Sequence, residues 1–237
     1  MSRRAILVAF VAACGGDDTA QHPPDAPRLE CDNAPPATCA RLGPDFDTSG
    51  NGMNPSGAWS YGYSTTLGGP FQIFTQFLPG NNVSLEGLDM WGDPALVDGS
   101  GAHLPTVGIN ATDTTSNPIG TYTVDARQIL AHPGMSGQVA IARWTAPIAG
   151  TYRVQATFTG LSGFNGSPHT TTDVHVQRAG VDVLANTVDA YGAAAATCDA
   201  TVMDVGQGDT LDFAVGYGNG SYLYDATGID AIVCPVL

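Results

Sequence analysis

Residues 171–177 read Thr171-Thr172-Asp173-Val174-His175-Val176-Gln177. Thr172, Val174 and Val176 fall on one side of an extended chain, and Thr171, Asp173, His175 and Gln177 on the other. This period of two marks a strand with one face in a core and the other turned to solvent or ligand. Working outward, similar short runs of β-formers recur, separated by clusters of Gly, Asn, Asp and Pro. They are Trp59 to Thr66, Phe71 to Leu78, Pro105 to Asn110, Arg127 to His132, Gln138 to Trp144, Thr151 to Thr159, Asp182 to Thr187, Cys198 to Val205, Thr210 to Tyr217 and Gly228 to Cys234. No helical period of useful length intervenes, so the chain is expected to be all-β, with two antiparallel sheets packed as a sandwich.

Composition agrees. The chain has no lysine: its 8 basic residues are all arginine, against 22 acidic ones of which only Glu30 and Glu86 are glutamate. Aspartate, glycine, asparagine and threonine favour turns and strands, whereas the scarce lysine and glutamate favour helices. A net charge of -14 with no basic patch argues against nucleic acid and anionic lipid headgroups as partners.

The N-terminus carries a different signal. Arg3-Arg4 precede the apolar run Ala5 to Ala13, which has the length of a secretory h-region and falls short of the ~20 residues of a spanning helix. Val11-Ala12-Ala13-Cys14 resembles the lipobox of bacterial lipoproteins, which implies that residues 1–13 are a signal peptide and that Cys14 is acylated. Gly15 after Cys14, by the same resemblance, points to the outer membrane or cell surface of a bacterial envelope. Membrane contact would run through this lipid anchor alone, since paired acyl chains suffice for stable anchoring. Residues 14–44 hold Gly15-Gly16-Asp17-Asp18, Pro23-Pro24 and Pro35-Pro36, a composition that reads as an extended tether. The folded domain is then expected over 45–237.

With Cys14 used for lipid, Cys31, Cys39, Cys198 and Cys234 form an even set in an exported protein and are expected to make two disulfides. Three connectivities are open. The short spacing favours Cys31 with Cys39 around Pro35-Pro36, and Cys198 with Cys234 between two late strands.

The strand-and-turn signatures also carry a resemblance. Asn54-Pro55-Ser56-Gly57-Ala58-Trp59-Ser60-Tyr61-Gly62, Ala131-His132-Pro133-Gly134, Ala142-Arg143-Trp144-Thr145-Ala146-Pro147, Gly208-Asp209-Thr210-Leu211-Asp212-Phe213 and Tyr224-Asp225-Ala226-Thr227-Gly228-Ile229-Asp230 resemble jelly-roll modules of bacterial secreted and surface proteins. Galactose-binding-like, carbohydrate-binding domains belong to that group. The resemblance implies a jelly-roll β-sandwich and a non-catalytic module that recognises carbohydrate, with structural calcium a common accompaniment. The competing class is a structural or adhesive surface protein that binds protein partners. A hydrolase comes third, because Gly160-Leu161-Ser162-Gly163 and Gly134-Met135-Ser136-Gly137 both lack the final glycine of a nucleophile elbow.

Candidate ligand-binding residues follow from residue chemistry. Trp59 and Tyr61 share a strand face on which rings could stack against sugar. Asp173 and His175 share the polar face of their strand, and His132 precedes a Pro-Gly turn. Tyr217, Tyr222, Tyr224 and Asp225 surround a Gly-Asn-rich loop, where recognition commonly sits. Asp45 and Asp47, in Asp45-Phe46-Asp47-Thr48-Ser49-Gly50, match the opening of a calcium loop, although the position for its bidentate glutamate is Ser56.

Overall fold

The computed structural model describes residues 38–80, 87–192 and 194–236, and for 194–203 the backbone alone. Cys14, Cys31 and the signal segment lie outside the described residues, as does the side chain of Cys198. The described residues form fourteen strands in order: β1 Ala40–Arg41, β2 Trp59–Ser64, β3 Gln72–Ile73, β4 Gln76–Leu78, β5 Leu88–Gly92, β6 Thr106–Asn110, β7 Ile129–His132, β8 Val139–Thr145, β9 Gly150–Gly160, β10 Thr171–Arg178, β11 Val181–Asp189, β12 Ala194–Val205, β13 Thr210–Val215 and β14 Thr227–Pro235. One sheet runs β12-β9-β14-β7-β6-β5-β4, with β1 also paired to β14. The other runs β11-β10-β13-β8-β2-β3.

Strand pairing in the second half of the chain is nested. β10 pairs β11, β9 pairs β12, β8 pairs β13 and β7 pairs β14, all antiparallel. A long hairpin rolled up so that alternate pairs fall into opposite sheets gives this pattern, the jelly roll expected of the chain. Its tip is the two-residue turn Ala179-Gly180, both at positive φ (49° and 75°), the conformation whose twist suits a tight hairpin.

The core lies between the sheets and is built by alternation. Thr172, Val174 and Val176 of β10 point inward, as do Leu211, Phe213 and Val215 of β13, facing Val154, Ala156 and Phe158 of β9 and Ile229, Ala231 and Val233 of β14. Trp59 and Tyr61 belong to this core with no exposed surface, so the aromatic face of β2 is not a sugar platform. Trp59 packs on Phe213 at 5.5 Å and Tyr61 on Phe46 at 4.6 Å. Burial carries that outcome: with two sheet faces to join, the largest rings go where they remove most apolar surface from water.

Two boundaries differ from expectation. The run Phe71 to Leu78 is not one strand. β3 extends the sheet of β2 while β4 pairs β5 in the opposite sheet, and the buried Phe74 lies in the crossing between them. Residues 38–44, expected in the tether, join the sandwich: Ala40 and Arg41 pair with Val233 and Ile232, and Leu42 is fully buried. Cys39 is bonded to Cys234. This overturns the expected pairings of Cys39 with Cys31 and of Cys234 with Cys198. Register decides it, because β1 lies alongside β14 and brings Cys39 opposite its end, with Cα atoms 4.3 Å apart.

Candidate functional site: a cleft beside Asp173 and Tyr217

Part of the outer face of the second sheet, over β8 and β13, is covered. Phe71 lies on Val139, Ile141 and Ala214, and the Arg143 guanidinium stands 4.1 Å from its ring while pairing in two-pronged fashion with Asp212 at 2.6 and 2.8 Å. Gly62 permits this cover, since a Cβ there would overlap the Phe71 ring and the Gln72 carbonyl. Beyond Phe71, towards β10, the surface opens into a shallow cleft of about 340 Å³. Leu67, Val139, Asp173, Tyr217 and the glycines 137, 216, 218 and 220 line it.

Asp173 is the charged group of that cleft and is firmly positioned. Its Oδ2 accepts from His175 Nε2 at 3.1 Å and its Oδ1 from the Gly218 amide at 2.7 Å. Its main-chain carbonyl accepts from the Gly216 amide. A Cβ at Gly216 would run into the carboxylate, so glycine allows the loop to lie flat on Asp173. The hydrogen bond from His175 first, and the Gly218 amide after it, outweigh partial burial and hold the Asp173 carboxyl below the usual range. It is therefore ionised at neutral pH and presents acceptor oxygens only.

His175 is bonded on both sides. Nδ1 faces Asp182 Oδ1 at 3.1 Å, and Gln177 Nε2 donates to the same oxygen at 2.8 Å. Burial pulls the imidazole pKa down, but the Asp173 hydrogen bond and the charges of Asp182 and Asp173 win and raise it. Because the two carboxylates occupy opposite ring nitrogens, they do not converge with the imidazole on one ion. No group of three or more His, Cys, Asp or Glu side chains suited to a metal occurs among the described residues.

The other candidates divide into neighbours and outsiders. Tyr217 belongs to the cleft, its hydroxyl packed so close to Gly137 that a Cβ there would stand 3.2 Å away. Tyr222 meets the His132 ring edge-on at 6.4 Å, and His132 Nδ1–H donates to the Pro133 carbonyl, with burial pushing its pKa down. Tyr224 is exposed at positive φ, beside exposed Leu223. Asp225 is sealed: Oδ1 accepts from the Thr171 amide and hydroxyl, while Oδ2 is buried without a partner. Asn219 Nδ2 donates to the same Thr171 hydroxyl, tying the loop to the start of β10. Asp45 and Asp47 are engaged in local hydrogen bonds. Asp45 accepts from the Arg41 amide and from Trp59 Nε1, Asp47 caps the Ser49 amide, and Phe46 between them enters the core.

Sequence reasoning missed Asp182, the second carboxylate on His175. The signal was present: folding the chain back at Ala179-Gly180 sets Gln177 opposite Asp182, two pairs along from His175. Leu67 and Gly137 carry no chemical signature, and only the fold brings them to the cleft.

Burial pushes the Asp225 carboxyl up to about 6, the Thr171 donors only partly offsetting it and the Asp173 charge adding to it. A carboxyl whose folded pKa exceeds its unfolded value stabilises the protonated fold. That contribution is full below the ordinary aspartate value of 3.8 and is lost as pH rises through about 6. Asp225→Asn is therefore expected to melt higher than the parent at about pH 7.5, by on the order of 1 kcal/mol, and to show no such gain near pH 4. Parallel melting curves of the two proteins across this range would refute the assignment.

The chain matches no protein-family model and no curated protein. Among the described residues no helix is long and apolar enough to cross a membrane.

Proposed function

We propose that the protein is a non-catalytic binding module of the bacterial envelope, held by lipid on Cys14, whose cleft at Asp173 and Tyr217 takes carbohydrate. The observation that carries the reading is the pairing of an ionised, oriented carboxylate with an aromatic ring in a glycine-rimmed cleft. Sugar hydroxyls donate well to a fixed carboxylate, sugar C–H faces pack on a ring, and exposed glycine backbone lets a bulky ring approach. The covering by Phe71 supports the cleft, rather than the open sheet face, as the place of contact.

A glycan array, together with insoluble cellulose, xylan and chitin, tests this with the full chain. Binding is expected, and Tyr217→Ala should weaken it at least about tenfold, the loss of roughly 1.4 kcal/mol that one good aromatic contact supplies, with little change in Tm. Exposed Leu223 and Tyr224, at 56% and 38%, favour a second reading in which the same loop meets a protein. A blank array from folded protein, with self-association or capture of a defined surface protein, would replace the first reading by that one.

A further inference from the structure

His175 sits at the centre of the cleft's polar network yet lines no part of the cleft itself. We infer that His175 is the positioning residue of the site: as an imidazolium bridging Asp173 and Asp182 it holds the 216–220 loop, and loss of its proton loosens that loop and weakens binding. The binding half of this inference rests on the carbohydrate reading, whereas the loop half stands without it.

Ring chemistry supplies the argument. A neutral imidazole has one N–H and one lone pair, whereas here both nitrogens face carboxylate oxygens at 3.1 Å. Only the doubly protonated ring can donate to both. After deprotonation a lone pair must point at a carboxylate, and with the side chain only 10% exposed little water can intervene. The two ends of the bridge are unequal. Asp182 keeps the Gln177 amide as a donor, while the Oδ2 of Asp173 has no donor but His175 among the hydrogen bonds described. The disturbance is thus directed to Asp173, whose carbonyl and Oδ1 carry Gly216 and Gly218 on either side of Tyr217.

The remaining charges around the ring are accounted for. Asp212, opposite Gln177 on β13, is neutralised by Arg143 of β8. Asp225 acts on Asp173 electrostatically and titrates near 6. The segment from Ser64 to Phe71 has no titratable side chain. Raised above its ordinary 6.5 by its carboxylate partners, His175 gives a bridge that is complete below that value and lost as pH rises through its folded pKa.

The test is NMR on the full chain, following the His175 ring carbon and the exchange rate of the Gly218 amide against pH. The expected result is one shared midpoint above 6.5. Asp182→Asn, which keeps an acceptor but removes a charge, should lower both midpoints together by about one unit. Asp225→Asn should leave the coupling intact and so separates the second titration. A Gly218 amide indifferent to His175, or one that fails to follow it in Asp182→Asn, would overturn the inference. The glycan array run at about pH 5.5 and about pH 8.5 then reads the functional half, with binding expected to fall by about tenfold at the higher pH, the ratio carried by one unit of coupled pKa. A blank array with coupled midpoints removes the carbohydrate reading and leaves the positioning role. Glycan binding that is flat across pH retains the carbohydrate reading and removes the role of His175.

Discussion

Replacing Cys39 and Cys234 together by serine is expected to lower stability by about 3–5 kcal/mol and Tm by roughly 10 °C. The bond joins residues 195 apart, so it constrains nearly the whole domain in the unfolded chain, and loop-closure entropy favours long loops. Its native-state role is as large. β1 has only two paired residues, Ala40 with Val233 and Arg41 with Ile232, and by pairing alone such a strand frays. Leu42 directly behind it is a fully buried core residue, so fraying there opens the core. Thermal melting of the double variant, and of the parent with reductant, should agree. A loss under about 1 kcal/mol would mean that Leu42 and the β1 pairing hold this end unaided.

Trp59→Ala is expected to cost about 3–5 kcal/mol while leaving glycan binding by the folded fraction unchanged. The indole is completely buried, packs against Phe213, and donates Nε1–H to Asp45 at 3.3 Å. Removing it leaves a cavity that the rigid sheets on either side cannot close, and it frees a carboxylate oxygen that also holds the Arg41 amide. Trp59→Phe should recover part of the loss by refilling volume without the donor. Urea melts give the stability and the array gives the binding. Binding abolished at unchanged stability would reverse the assignment of this ring to the core.

Period-two alternation made β10 and most of the long strands legible, because a strand between a core and solvent must write its two faces into its sequence. β5 escaped notice for the same reason: all five residues of Leu88–Gly92 are buried, so there is no alternation to see. β1 is two residues long and follows a proline-rich stretch, and its place is set by β14 more than 190 residues later in the pairing Ala40 to Val233. The site was legible in part. Asp173 and His175 stood out by chemistry and Tyr217 by the glycines around it; Asp173 and Tyr217 do line one cleft, and His175 bonds to Asp173 from beneath it. Trp59 and Tyr61 shared the same chemistry but lacked a local sign of which sheet face they occupied. Asp45 and Asp47 matched a ligand spacing, yet Phe46 between them had a stronger claim on the core.

β14 also forms a load path. At its beginning stands Asp225, fastened to Thr171 two residues from Asp173; near its end stands Cys234, bonded to the residue where the N-terminal chain enters. The strand between them runs from Thr227 to Pro235, a rod of roughly 30 Å at ~3.3 Å per residue. Tension applied upstream of Cys39 and resisted at the cleft would travel along this rod, in line with its hydrogen-bonded neighbours β9 and β7, so that their bonds share the force in shear instead of parting one after another. In the role proposed above, a domain wired in this way would grip at one end and hang from the other by an interior strand of its larger sheet.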